Sequence, residues 1–290
     1  MLSVIIPTKD KADRLLLTLA CLAAQTIKDQ CEFIVINNGA TDHTCQIIAD
    51  AQQYIDIRTV NLSKPGRSLA RNAGAREARG EFLVFIDDDI LVPPNFLALH
   101  YQHQCQRPGL IHGKLRDLPL VARMVNPQNV DQKLAEQLFS VKQLRKNGFR
   151  PLGQRLIANA LEQLVEKMHF GEIPWVASWL CGAGANLSIP KLYWKEVGEY
   201  CEAFGAYWGC EDLEFAFRVN QSGLPIYFLP EAWGVHLMHQ RTTRWEEHDI
   251  NFKQFYALHP VKAVEMLPFL LGPTGSPKRY LEQLLPTILS

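Results

Sequence analysis

Residues 82–92 run through five consecutive apolar side chains, Phe82–Ile86, into three adjacent aspartates, Asp87, Asp88 and Asp89, before turning apolar again. An unbroken apolar run of that length reads as a strand buried on both faces, which suits a parallel sheet covered by helices on either side. Three carboxylates at the end of such a strand repel one another, and folding alone does not select them. A divalent cation relieves that repulsion, and carboxylate oxygens are ligands that Mg²⁺ or Mn²⁺ prefers. Open α/β sheets also hold their ligands at the carboxyl ends of strands. A solvated acidic turn is the bland alternative, and it suits an isolated pair of aspartates better than this triplet. The stretch predicts a metal-assisted nucleotide site.

The flanking sequence supplies the rest of an α/β domain. Residues 2–6 read as a first strand ending at Pro7 and Thr8, followed by a helix from about Asp13 with Leu15, Leu16, Leu19 and Leu22 at helical spacing. A second strand is expected over 32–36, then a turn at Asn37, Asn38 and Gly39, with Thr41 or Asp42 capping the next helix. A third strand over 54–62 leads to a turn with two cations, Lys64 and Arg67, and to a helix capped by Ser68 and running to Ala78. Strand–helix alternation with short connections predicts a parallel, doubly wound sheet. Beyond it we expect a helix over 95–105 and a strand over 109–115. Two helices within 131–169, broken near 148–153, read as an insertion outside the sheet. A helix from Glu211 to Gly223, strands over 225–229 and 232–237, and a helical tail from Arg244 complete the chain.

Lys plus Arg equals Asp plus Glu, 30 of each, so no global field favours nucleic acid or an anionic membrane and any polyanion must be held locally. Seven cysteines without a Cys-x-x-Cys pair read as buried free thiols in a reducing compartment. The first residues carry no basic segment and read as a strand rather than a signal peptide, and no apolar run reaches membrane-spanning length. The expectation is a cytoplasmic protein, with peripheral membrane contact through the apolar stretch 263–272 left open.

A second acidic cluster, Glu211-Asp212, opens a helix after the aromatic, glycine-bearing lead-in from Phe204 to Gly209. The helix dipole alone favours carboxylates there. A base separate from the metal group is the functional alternative. Gly182 and Gly184 would admit a ligand close to the backbone. His236 ends an apolar strand, where a histidine is either structural or an additional metal ligand, and His239 competes with it. Lys64, Arg67 and Arg71 together could bind a diphosphate.

Taken in order, these motifs resemble the inverting family 2 glycosyltransferases of GT-A fold. The matching stretches are Ser-Val-Ile-Ile-Pro-Thr (3–8), Asn-Asn-Gly-Ala-Thr-Asp (37–42) and Arg-Ser-Leu-Ala-Arg-Asn-Ala-Gly (67–74). They continue with Phe-Ile-Asp-Asp-Asp (85–89), which matches the family's DXD element, and with the Glu-Asp segment beginning at Trp208. That segment is also similar to the β-galactosyl- and chondroitin-type transferases. The resemblance covers about 1–115 and 175–240.

It implies a GT-A domain whose nucleotide-sugar part is 1–115 and whose acceptor and catalytic part is 175–243. The remainder would be a helical lid or acceptor-recognition insertion over 116–174 and a helical tail over 244–290. Pro7, Thr8 and Asn38 would meet the base or ribose, with Arg71 nearby, and Asp87 and Asp88 would face the nucleotide. Asp89 would bind Mn²⁺ or Mg²⁺ with His236 as a further ligand. Asp212 would be the general base and Glu211 an acceptor contact. The implied donor is a UDP-sugar, and the acceptor (glycan, lipid-linked sugar, peptide or natural product) is open. One departure is Asn38, which stands where the family usually has an acidic residue. Two other classes share parts of the pattern. A phosphohydrolase can carry Asp-x-Asp after an apolar strand, though usually the first strand, and a non-catalytic nucleotide- or glycan-binding module would keep the fold without the base.

Overall fold

The computed structural model describes residues 1–119, 139–151, 155–239 and 241–285. Its strands are β1 (Leu2–Thr8), β2 (Cys31–Asn37), β3 (Ile57–Asn61), β4 (Phe82–Ile86), β5 (Ile90–Leu91), β6 (Leu110–Asp117), β7 (Asn186–Pro190) and β8 (Ile226–His236). They form one sheet in the order β3-β2-β1-β4-β7-β6-β8-β5. The acidic strand β4 is central. Leu83 and Phe85 pack into one apolar cluster, while Phe82, Val84 and Ile86 pack into the other, so alternate residues serve opposite faces.

On one face lies α1 (Ala12–Ala23), whose Leu15, Leu19 and Leu22 share a cluster with Val84; on the other lies α3 (Arg67–Glu77). The fit of α3 is close enough to require glycine at one position. A Cβ on Gly74 would stand 2.5 Å from Ile5 Cγ2 and 2.7 Å from Ile36 Cδ1. The helix α2 (Thr44–Ala51) follows β2; its N-cap position is His43 rather than Thr41 or Asp42, though Asp42 accepts the Thr44 N–H at 3.1 Å from one residue further out. Ser68 is no cap, because α3 begins one residue earlier behind Gly66.

The parallel expectation holds for β1, β2, β3 and β4, and beyond β4 the sheet is mixed. β7 runs antiparallel to both β4 and β6, while β8 is parallel to β6 and antiparallel to β5. The two strands expected over 225–237 are one, since β8 passes through Pro230 in a bulge where the register on β6 shifts between Gly113 and Leu115. A bulge frees Pro230 from the need to donate to the ladder.

The chain between β6 and β7 is bound into the core at its described ends. After α4 (Phe96–Gln106) come α5 (Val141–Asn147), which contributes Leu144 to the α1 cluster, and α6 (Ala160–His169). Leu161, Leu164, Val165 and Met168 of α6 share the cluster of Leu83 and Phe85. Glu162 meets His112 of β6 at 2.6 Å with both side chains buried, and β6 itself crosses the boundary expected at 115. Residues 120–138 of the insertion expected over 116–174 lie outside the described residues. The tail is helical as expected over its described length. α7 (Lys191–Val197) and α8 (Glu211–Gln221) precede β8, and α9 (Arg244–Leu258), α10 (Lys262–Glu265), α11 (Pro268–Leu271) and α12 (Pro277–Leu284) follow it.

Among the described residues no helix is long and apolar enough to cross a membrane. All seven cysteines are free thiols; Cys45 and Cys105 are exposed rather than buried.

Candidate active site

The β5–β8 pairing builds the first half of the site. It sets Ile90 opposite His236, and the Leu237 N–H donates to the Asp89 carbonyl at 2.9 Å. As a result, Nε2 of His236 and Nε2 of His239 each lie 3.5 Å from Asp89 Oδ2. The other His236 nitrogen, Nδ1, is 2.8 Å from Asp117 Oδ1, which fixes the ring. Both histidines, not one of the two, thus reach the aspartate. A residue the motifs did not single out completes the cluster. Lys11, just beyond β1, donates from Nζ to Asp88 Oδ1 at 3.0 Å and to Asp89 Oδ2 at 2.7 Å. A cation beside the aspartates could have been suspected from the Lys9-Asp10-Lys11 run at the end of β1, but only the β1–β4 pairing locates it.

These contacts separate two adjacent carboxylates. Burial disfavours the charge on Asp89, but Lys11 and the histidines outweigh it and hold its pKa well below the usual carboxylate range. Asp88 is raised by burial and by its acidic neighbours, which the same Lys11 only partly offsets. Burial also acts to lower His236, yet Asp89 and Asp117 more than compensate and raise it to about 9. The contact with Asp89 favours the charged form of His239, but burial and Lys11 prevail and lower it.

The second half is built by Arg71. Its Nη2 donates to Asp87 Oδ1 at 3.2 Å and its Nη1 to Glu211 Oε1 at 2.9 Å, so one buried guanidinium ties the acidic strand end to the acidic helix start. Asp212 stands beside this pair. The antiparallel return of β7 brings Gly184 alongside, and its N–H donates to Asp212 Oδ2 at 2.8 Å, while the Leu213 N–H donates to Oδ1 at 2.8 Å. A Cβ on Gly184 would lie 3.0 Å from Arg71 Nη2 and 3.1 Å from Asp212 Cβ, which explains the glycine. Burial and the adjacent Glu211 push Asp212 up to about 6. Glu211 is lowered despite its burial, because Arg71 and Arg67 favour the anion.

Between the halves lies a polar cleft of about 220 Å³. Of the residues expected at the nucleotide, Pro7, Thr8, Asn38, Arg67, Arg71, Asp87 and Asp88 line it. Lys64 does not; it is exposed on the preceding turn, outside the lining. Asn38 accepts the Gly66 N–H on Oδ1 at 2.9 Å, so its amide also shapes the turn that starts α3. The cleft gains Lys9, Lys11, Arg241 and Glu247, none of which the motifs indicated, and the last two come from the region after β8.

The donor set fits a divalent cation. One ligand atom each from Asp89, His236 and His239 all lie within 4.8 Å of one another, and a carboxylate with two imidazoles suits Mn²⁺. Lys11 already places one positive charge against Asp88 and Asp89.

A mixed, helix-flanked sheet with a polar cleft at the end of its central acidic strand defines the GT-A class of nucleotide-sugar folds, and solved structures of that class overlay on this chain. A mannosyltransferase from Pyrobaculum calidifontis, solved with GDP-Man and Mn²⁺, superposes with a TM-score of 0.61 at 17% identity, covering 97% of this chain and 73% of its own. S. aureus TarS in complex with UDP-GlcNAc superposes at 0.58 and 16% identity, covering 98% and 70%. Residues 3–118 match the model of the glycosyl transferase family 2. Validoxylamine A glucosyltransferase of Streptomyces hygroscopicus subsp. jinggangensis is 28% identical over 278 residues, 90% of this chain and 61% of that protein. Hyaluronan synthase of Pasteurella multocida is 28% identical over 82% of this chain and 24% of its own length. The chain thus spans 61% of the one relative and 24% of the other. Its residues 3–118 are similar to the family 2 glycosyltransferases, and the chain has the GT-A fold.

Proposed function

We propose that this chain transfers a hexose-type sugar from a nucleotide donor, UDP-linked, to an acceptor hydroxyl by single displacement with inversion. The observation that carries the reading is Arg71, which joins Asp87 at the cleft to Glu211 beside Asp212 and so couples a nucleotide side to a base side. Lys9, Lys11, Arg67, Arg71 and Arg241 around one cleft support an anionic diphosphate, and Pro7, Thr8 and Asn38 supply a wall for the base and ribose. Asp89, His236 and His239 would hold Mn²⁺ or Mg²⁺, which when bound supplies positive charge to the departing diphosphate.

Asp212 is the general base in this reading. With its carboxyl pushed up to about 6 it is ionised at neutral pH yet basic enough to take a proton from an attacking hydroxyl. The Gly184 and Leu213 N–H groups fix its two oxygens, and each oxygen keeps further acceptor capacity. Glu211, locked by Arg71, is left to orient the acceptor. Seven free thiols favour a reducing compartment, the cytoplasm. The acceptor stays open among glycan, lipid-linked sugar, peptide and natural product.

Incubation of the purified chain with a panel of UDP- and GDP-sugars and Mn²⁺ tests this. The expected result is tight UDP binding by calorimetry, sugar release or transfer that depends on the metal, and a product whose anomeric configuration is opposite to the donor's. Binding without turnover over a broad acceptor panel would favour a non-catalytic module, and a product with the donor's own anomer would end the single-displacement reading.

A further inference from the structure

The turn that delivers Asp212 is unusual. Gly209 has φ +100° and Cys210, a non-glycine, has φ +69°, so two successive residues occupy left-handed backbone directly before α8. Such a conformation in cysteine is disfavoured and persists only when its surroundings fix it. Those surroundings come from α9, which lies outside residues 3–118.

Three residues on about one turn of α9 grip four consecutive residues of the approach. Glu247 Oε2 accepts the Trp208 N–H at 2.9 Å. Asn251 Nδ2 donates to both the Tyr207 carbonyl, at 3.1 Å, and the Gly209 carbonyl, at 2.9 Å. The His248 ring packs under Gly209 so closely that a Cβ there would lie 2.9 Å from Cδ2, and its Nε2 is 3.6 Å from Cys210 Sγ. Asn251 is 1% exposed and His248 5%, and a buried amide and imidazole whose hydrogen bonds go to this turn serve the turn rather than the core.

We propose that Glu247, His248 and Asn251 of α9 are positioning residues, holding residues 207–210 in the single backbone conformation that sets Asp212 beside Gly184 and Arg71. This rests on the reading of Asp212 as the base. α9 is then a working part of the site, and the transferase domain is incomplete if cut after β8.

The test compares Asn251→Leu, which keeps the volume and removes both donors, with Asn251→Gln, which keeps the amide. Asn251→Leu should lower kcat by about tenfold to a hundredfold, as a small misplacement of a reacting group does. The Kd for UDP should stay within about twofold, since base-side geometry changes kcat rather than uniform binding. The Asp212 titration followed by carboxyl NMR should move from about 6 toward the ordinary 3.8, with partial return in Asn251→Gln. A folded Asn251→Leu variant with unchanged kcat and an unchanged Asp212 midpoint overturns the proposal, as does a loss of UDP affinity in step with kcat. Should Asn251→Leu not fold, Glu247→Leu removes the acceptor of the Trp208 N–H together with those of Arg241 and Thr243, so there only the Asp212 midpoint is read; it should move less, and an unchanged midpoint overturns the proposal equally. The titration needs no acceptor sugar. If wild-type protein turns over no donor, the functional reading fails while the positioning claim is still decided.

Discussion

Asp89 and Asp212 are the same residue type in the two halves of the site, and their surroundings drive them in opposite directions. Asp89 faces a lysine and two histidines, so its charge is held far into acid. Asp212 has an acidic neighbour, and the one nearby arginine spends its hydrogen bonds on Glu211 and Asp87, so Asp212 is pushed up to about 6. A carboxylate that never gives up its charge suits cation binding, and one that titrates near neutrality suits proton transfer. Carboxyl groups whose pKa values are driven apart in one site mark a division of roles. Arg71 reinforces the division, because it hydrogen-bonds Glu211 and Asp87 and reaches Asp212 only through space, where its attraction does not offset burial and the Glu211 charge.

The largest break in this comparison should come at Asp89. In Asp89→Ala, Lys11 keeps Asp88 as a partner, so the fold should survive with its melting temperature little changed. Loss of cation binding removes several kcal/mol of charge stabilisation, and transfer should fall by about a thousandfold or more. Chelation of wild-type enzyme should do the same, and full activity after EDTA treatment would refute the cation role.

Asp212→Asn comes next. Removing a general base costs roughly 10²- to 10⁴-fold in kcat. UDP affinity should be nearly unaffected, because Asp212 does not line the nucleotide cleft. In wild type the same group should produce an acidic limb in kcat centred near pH 6, absent from the residual activity of the variant. A wild-type profile flat from pH 5 to 7 would be roughly incompatible with Asp212 as base.

The smallest effect is on stability. The folded-state pKa of Asp212, about 6, is above its ordinary 3.8, so the folded form binds the proton more tightly. Ionised Asp212 therefore destabilises the fold above about pH 6, and the penalty fades as pH falls toward 4. Asp212→Asn should be more stable than wild type at pH 8 by on the order of 1 kcal/mol, about 2 °C in melting temperature, with little difference at pH 4. A variant no more stable at pH 8 would mean that Asp212 is not strained in its charged form.

What the sequence determined by itself is local. The apolar run before Asp87 is a strand because five consecutive apolar residues have nowhere to go except between two cores, and Leu83 and Val84 do face opposite ones. The motifs likewise placed Arg71, Asp87, Asp89, Glu211, Asp212 and His236 in the right elements. Tertiary structure decided which of them meet and with what charge. Lys11 meets Asp88 across 77 residues because β1 pairs with β4, and Arg71 meets Glu211 across 140 residues. Lys64 carried the right charge on the right turn and still ended outside the cleft. Asn251 looks like any polar helix residue until α9 lies against the turn at 207–210, across 42 and 44 residues. Backbone preference and hydrophobic pattern act over a few residues, whereas hydrogen bonds and pKa values depend on whichever groups the folded chain brings within a few ångströms, and that distance is not written in sequence separation.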